Sequence, residues 1–472
     1  MNCESFGSCG SCTLGEPYED QISYKKRLIA DKLREFFDGE FEFFASSPQN
    51  YRIRAEFGIW HDIWHSAFDL AYTMGGARSK KILINECPKV ALPIANLMPQ
   101  LLETLRRNEA LKERLFGVEF ISCASGILAT LLYHKHLGER EQEAICELAD
   151  KLGIRVMARA RGQKLLSGEL SLTDELCVDG RVYKFRFGEN AFIQPNRGVN
   201  EKMIAWARSC VDFRKDGANE GYTAQNSTDR NFASENTAEL DAACRNSVEA
   251  NSACAECSGE NSARFNCASA DESFADKNFA CKDLDAQNFI EQNSTAQNLD
   301  CEKQSAQNSS CENYVVRDLL ELYCGHGNFT IPLAAKFNRV LASEISKSSI
   351  ANARINCELN GVCNAQFVRL SADELMSAFA RQREFERLKG IDIFSYDFSH
   401  VLIDPPRAGL EPSVIDFIKN FQNLIYISCN PQTLFENLRS LCITHEVRRF
   451  AIFDQFAHTA HIECGVLLRR RS

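Results

Sequence analysis

Two short motifs near the end of this sequence carry residues capable of covalent chemistry. In Ser428-Cys429-Asn430-Pro431-Gln432-Thr433-Leu434, a cysteine closes an apolar run and precedes a helical pattern. Backbone amides at a helix N-terminus favour a thiolate, the nucleophilic form of the side chain. A buried structural cysteine is the other reading of that position. In His461-Ile462-Glu463-Cys464-Gly465, the glutamate stands immediately before a final apolar run. There it is either a proton acceptor or a solvated carboxylate at a strand end.

A third motif offers a place for a nucleoside. The run Asp318-Leu319-Leu320-Glu321-Leu322-Tyr323 leads into Cys324-Gly325-His326-Gly327-Asn328 and then a helical stretch from Thr330 to Lys336. Glycines after a strand let the backbone approach a ligand closely. A second strand ends at Glu344, about twenty residues beyond the first glycine, where a carboxylate can accept both hydroxyls of a ribose. The third glycine of the dinucleotide fingerprint is missing, since Asn328, Phe329 and Thr330 follow Gly327. That departure fits a methyltransferase-type turn, with no pyrophosphate to cradle; an ordinary tight turn is the alternative. A cysteine, a carboxylate and a nucleoside pocket together meet the needs of one reaction, methylation of carbon 5 of uracil. That carbon becomes nucleophilic once a thiolate has added to carbon 6, and a base must then remove its proton.

The elements that would position these residues alternate along the chain. After about residue 314, apolar runs (Leu319–Tyr323, Val340–Ser343, His400–Asp404, Leu424–Ser428) alternate with helical patterns. The fold class expected is α/β, a Rossmann-like domain with its ligands at the carboxyl ends of the strands. Residues 1–206 mix alternating segments such as Tyr51–Trp60 with helical stretches (Ala95–Arg107, Glu139–Leu152), a mixed α+β region. Residues 207–215 begin the catalytic domain, and 314–472 complete it. Between them, 216–313 is rich in Asn, Ala, Ser, Glu, Asp and Cys, with recurring fragments such as Thr223-Ala224-Gln225-Asn226 and Ser305-Ala306-Gln307-Asn308. That composition predicts a low-complexity disordered insertion. Its Cys254 and Cys257 have no matching pair at a zinc spacing.

The chain has 472 residues and a net charge of −10. Asp216–Glu312 alone holds 18 acidic and 6 basic residues, a local −12 that leaves the remainder near +2. The overall charge therefore does not argue against a nucleic-acid partner. No apolar run approaches a membrane span and no signal peptide opens the chain, so the expected compartment is the cytoplasm, with no membrane partner. With 21 cysteines and no export signal, a disulfide framework is not expected.

The chain resembles the bacterial tRNA (uracil-5-)-methyltransferases of the TrmA type, within the RNA m5U methyltransferase family. The resemblance rests on Tyr51–Asp62 (YRIRAEFGIWHD), Leu131–Lys135 (LLYHK), Phe192–Asn196 (FIQPN), Leu320–Phe329 (LELYCGHGNF), Arg383–Asp392 (REFERLKGID), Asp404–Leu410 (DPPRAGL), Ser428–Leu434 (SCNPQTL) and Asp454–Leu468 (DQFAHTAHIECGVLL). It implies RNA recognition by residues 1–206, with Cys429 as nucleophile and Glu463 as proton acceptor. It implies S-adenosyl-L-methionine as methyl donor, held by Gln194, Tyr323, Asn328, Glu344 and Asp404. Phe192 and Arg407 would lie near a flipped target base or its phosphate, although Phe192 suits core packing equally well. The implied substrate is the T-loop uridine of the tRNA T-arm, position 54, giving ribothymidine, with a T-loop-like uridine of tmRNA as a second candidate. No obligate protein partner is evident.

One feature departs from those enzymes. Cys3, Cys9 and Cys12, with Cys87 further on, are similar to the four-cysteine cluster site of the ribosomal RNA uracil-5-methyltransferases, so a [4Fe–4S] cluster is expected there, with zinc or uncoordinated thiols as alternatives. His61 and His65 share a helical spacing but lack the glutamate of a metalloprotease helix. The rival functions are a 23S ribosomal RNA uracil-5-methyltransferase with the same mechanism, favoured by those cysteines, and a catalytically silent RNA chaperone, disfavoured by the Cys429 and Glu463 pair.

Overall fold

The computed structural model describes residues 3–61, 70–76, 80–187, 193–212 and 317–471. Phe192, His65 and the 216–313 segment lie outside the described residues. In the C-terminal part, apolar strands fold into one eight-stranded sheet ordered β1-β16-β17-β15-β14-β11-β12-β13. Its members are β1 (Glu42–Phe44), β11 (Asp318–Leu322), β12 (Arg339–Ser343), β13 (Ala365–Val368), β14 (Phe398–Ile403), β15 (Asn423–Ser428), β16 (His445–Phe453) and β17 (Glu463–Arg470). All run parallel except β17, which is antiparallel to both β15 and β16. Every residue of β11 and of β15 is buried, as strands covered on both faces require.

Successive residues of these strands feed two cores. Leu319, Val340, Leu402 and Ile425 pack on one face with Met203 and Trp206 of helix α5 (Arg197–Val211). Leu320, Val401, Leu424 and Tyr426 pack on the other with Ile29 and Leu33 of helix α1 (Tyr18–Leu33) and with Leu434 and Leu438 of α10 (Pro431–Leu441). Gly465 is the point of closest approach, since a Cβ there would stand 2.6 Å from the Trp206 ring. The amino-terminal segment thus contributes an edge strand, β1 on β16, and a covering helix to the catalytic sheet, and its packing does not follow the 1–206 boundary.

The remaining N-terminal residues form a seven-stranded sheet of β2 (Arg54–His61), β3 (Leu70–Gly75), β4 (Lys81–Ile84), β5 (Leu115–Cys123), β6 (Gly126–Tyr133), β7 (Arg155–Ala160) and β8 (Gln163–Leu166), ordered β4-β3-β2-β5-β6-β7-β8. Helices α2 (Leu92–Arg106) and α4 (Glu139–Leu152) bury a third core against it. A hairpin of β9 (Leu172–Val178) and β10 (Arg181–Phe187) packs against α5 and against α7 (Lys347–Asn360). Among the described residues, no helix is long and apolar enough to cross a membrane.

Candidate active site

Sheet register places the sequence-predicted residues along one edge. In the parallel ladder Leu322 of β11 is paired with Ser343 of β12 and with Ile403 of β14. The next residues outward are Tyr323, Glu344 and Asp404. On the antiparallel side Ser428 of β15 is paired with Cys464 of β17, so one further step brings Cys429 alongside Glu463. Five neighbouring strands therefore deliver Glu344, Tyr323, Asp404, Cys429 and Glu463 to the same end of the sheet. Only an antiparallel β17 can begin at this end, and Glu463 is its first residue.

Burial sets the electrostatics of this edge. Glu463 is 6% exposed, and its carboxyl is pushed up to about 8, by burial first and by the neighbouring charge of Asp404 second. Burial also pushes Asp404 up to about 7. The Cys429 thiol is raised above its ordinary value by burial and then by the Glu463 and Asp404 carboxylates, with Arg407 pulling the other way. This reverses the sequence-based expectation of a stabilised thiolate at a helix start. Burial leads, and the carboxylates that add to it come from the ends of β14 and β17, remote in sequence from the α10 N-terminus.

The turn after β11 takes left-handed backbone at three residues. Tyr323 adopts φ +62°, and Gly325 and Gly327 adopt +56° and +91°. At Gly327 a Cβ would also meet the Ile331 side chain at 3.0 Å. Glu344 accepts the Gly325 amide at 3.1 Å through Oε2 and the Ser346 amide at 2.8 Å through Oε1. Each oxygen keeps a lone pair for a further donor such as a hydroxyl. Gln194 and Asn328 line one cavity together with Asn200, Arg197 and His326. Arg407 is exposed on the loop after β14, whose backbone is tied to the Cys429 turn. Asn430 Nδ2 donates to the Arg407 carbonyl at 3.0 Å, while Asn430 Oδ1 caps α10 through the Gln432 amide.

The profile of the tRNA (uracil-5-)-methyltransferase family matches residues 17–251 and 269–471. The chain belongs to this family. Among its relatives are proteins named tRNA/tmRNA (uracil-C(5))-methyltransferase from Campylobacter concisus, 48% identical over the whole of both chains, and from Wolinella succinogenes, 35% identical over the whole of both. A solved structure, the Pyrococcus abyssi tRNA (uracil-54, C5)-methyltransferase in complex with S-adenosyl-L-homocysteine, shares the fold. Its TM-score is 0.55 at 16% identity, covering 96% of this chain and 83% of that one.

The four-cysteine expectation finds no support. Cys3, Cys9, Cys12 and Cys87 do border one pocket. Yet among the described residues no group of three or more His, Cys, Asp or Glu side chains is placed to hold a metal ion. Burial raises the Cys12 and Cys87 thiols above their ordinary value, with Lys89 pulling both the other way. The lysine among them, Lys89, bonds Ser11 Oγ at 2.5 Å. The expectation of a [4Fe–4S] cluster is therefore not supported among the described residues.

Several residues of this family member escaped the motif reading. Glu321 is 1% exposed in the middle of β11, pushed up to about 8 by burial, and its Oε2 has no hydrogen-bond partner among the described residues. A charged residue inside an all-apolar run was the available signal. Lys25 and Asp454, both fully buried, pair at 2.6 Å. Lys25 also donates to the Phe456 carbonyl at 3.1 Å, Tyr18 to Asp454 at 2.7 Å, and Gln21 accepts the His458 amide at 2.9 Å. Helix α1 thereby grips the segment that leads into Glu463. The partners lie more than 400 residues apart, and nothing in either local pattern signals the pairing.

Proposed function

We propose that this enzyme transfers a methyl group from S-adenosyl-L-methionine to carbon 5 of the T-loop uridine of tRNA, position 54, in the cytoplasm. The observation that carries the reading is the adjacency of Cys429 and Glu463 across the β15–β17 ladder, on the strand edge that also holds Glu344 and Asp404. Cys429, as thiolate, adds to carbon 6 and pushes the ring electrons toward carbon 5. The bound methyl donor supplies the methyl group to that carbon and leaves as S-adenosyl-L-homocysteine. Glu463 then takes the carbon 5 proton, the ring double bond re-forms, and the thiolate departs from carbon 6. Glu344 would hold the ribose of the donor, and Gln194, Tyr323, Asn328 and Asp404 its other polar groups. Arg407, exposed beside the thiol, suits a phosphate flanking a flipped base, and Phe192 is the proposed stacking partner.

The relatives' names favour tmRNA as a second substrate and speak against the ribosomal RNA reading, whose main support is the unsupported cysteine cluster. The test is methyl transfer from labelled donor to unmodified tRNA, tmRNA and 23S ribosomal RNA fragments. Label in tRNA that vanishes when the T-loop uridine is replaced supports the proposal. Label confined to the ribosomal fragments overturns it.

A further inference from the structure

We propose that Asn200 is a positioning residue that holds the Asn328 amide in place for the methyl donor. The two side chains form a closed amide pair, Asn200 Nδ2 donating to Asn328 Oδ1 at 2.9 Å and Asn328 Nδ2 donating back to Asn200 Oδ1 at 3.0 Å. Asn200 is 4% exposed and sits one turn into α5. That helix starts at Asn196, whose own Oδ1 caps it through the Val199 amide at 3.2 Å. Both amides border the cavity shared with Gln194 and His326.

The pair has a definite consequence for Asn328. A primary amide has two N–H donors and two acceptor lone pairs, and this ring of two hydrogen bonds uses one of each. Asn328 is left with one N–H and one lone pair for a ligand, in a plane fixed by its partner. A terminal amide torsion is otherwise broad and soft, so an Asn328 without Asn200 samples orientations that cannot bond the ligand. The same helix turn reaches the segment before Glu463, because Asn196 Nδ2 donates to the Gln455 carbonyl at 3.3 Å and Gln455 Nε2 to Gln194 Oε1 at 3.4 Å. The first turn of α5 is thus a bracket between the glycine turn and the Glu463 strand, and Asn200 is its contact on the glycine-turn side.

This inference rests on Asn328 contacting the donor, and the test separates the two. Affinity for S-adenosyl-L-homocysteine is measured calorimetrically for the full-length enzyme, Asn200→Ala, Asn328→Ala and the double variant, with kcat and the KM for tRNA taken at saturating donor. Each single variant is expected to weaken binding about tenfold, the scale of one lost hydrogen bond. The double variant should be no weaker than the weaker single, because both remove the same arrangement. The KM for tRNA should stay within about twofold, which a general loosening of the fold would not allow. Asn200→Asp, of equal size and still an acceptor for Asn328 Nδ2, should recover part of the loss, and it replaces the alanine variant if that one does not fold. Wild-type affinity in Asn200→Ala with a loss in Asn328→Ala overturns the proposal and leaves the Asn328 contact standing. Losses that multiply in the double variant also overturn it. Wild-type affinity in Asn328→Ala removes the donor contact itself and the proposal with it.

Discussion

Two groups of cysteine-bearing motifs stand out in this sequence, and the protein treats them differently. Cys429 reaches its partners by way of a hydrogen-bonded ladder, where the pairing of Ser428 with Cys464 dictates what stands opposite. Cys3, Cys9, Cys12 and Cys87 meet around a pocket through loops, with a single isolated bridge, Cys9 to Gly76, in place of a continuous ladder. Register converts a one-dimensional spacing into a side-chain juxtaposition. Loop spacing alone does not, and metal coordination tolerates little error in distance.

The sharpest way to break this contrast is to remove each thiol. Cys429→Ala should abolish turnover, a fall on the order of 10^6-fold as for other lost covalent nucleophiles, while S-adenosyl-L-homocysteine binding persists. Residual methylation near the wild-type rate would remove Cys429 from the chemistry. By contrast, Cys3, Cys9 and Cys12 changed together to Ser should alter kcat by less than about twofold. A brown protein with absorbance near 400 nm that loses its colour in this triple variant would show that these cysteines hold a cluster.

A second contrast concerns what holds the Glu463 strand. Lys25→Met leaves Asp454 buried without its partner, which should cost about 3–5 kcal/mol of stability, read in denaturant melts. An unchanged melt would show that α1 does not anchor this segment. A smaller effect separates activity from stability at the edge itself. The Glu463 carboxyl is raised from 4.5 to about 8 in the folded protein, so folding binds a proton between those values. The stability tied to this group is complete below pH 4.5 and is lost as pH rises through about 8. Activity should run the opposite way, climbing through the same range as Glu463 ionises. Glu463→Gln should therefore flatten the fall of Tm between pH 5 and 8. A wild-type rate profile that levels off near pH 5 would show that Glu463 ionises as an ordinary carboxyl.

How much of this was legible in the sequence depended on the range of the interaction. The glycine turn, Glu344 at the end of β12 and Cys429 at the start of α10 could be read locally, because strand, turn and helix signals are contiguous. The neighbour relation of Cys429 and Glu463 was not readable from spacing. It depends on β17 inserting antiparallel between β15 and β16; the chemistry of the reaction and the family resemblance suggest the pairing, but not the ladder that makes it. The raised Cys429 thiol is illegible for the same reason, since its burial and the Glu463 and Asp404 carboxyls that add to it are set by other strands. Asn200 left a fainter local trace, an amide four residues after Asn196 on the otherwise apolar buried face of α5. The amide it bonds, Asn328, is 128 residues away.

The central claim is that Cys429 and Glu463 act in sequence on one pyrimidine ring. The most direct test incubates Glu463→Gln with unmodified tRNA and S-adenosyl-L-methionine, then resolves the products under denaturing conditions. With the proton acceptor gone, elimination should stall after methyl transfer, leaving a protein–RNA adduct on Cys429 that is absent when Cys429 is also replaced by Ala. A Glu463→Gln enzyme that releases methylated tRNA at the wild-type rate without an adduct would contradict the account.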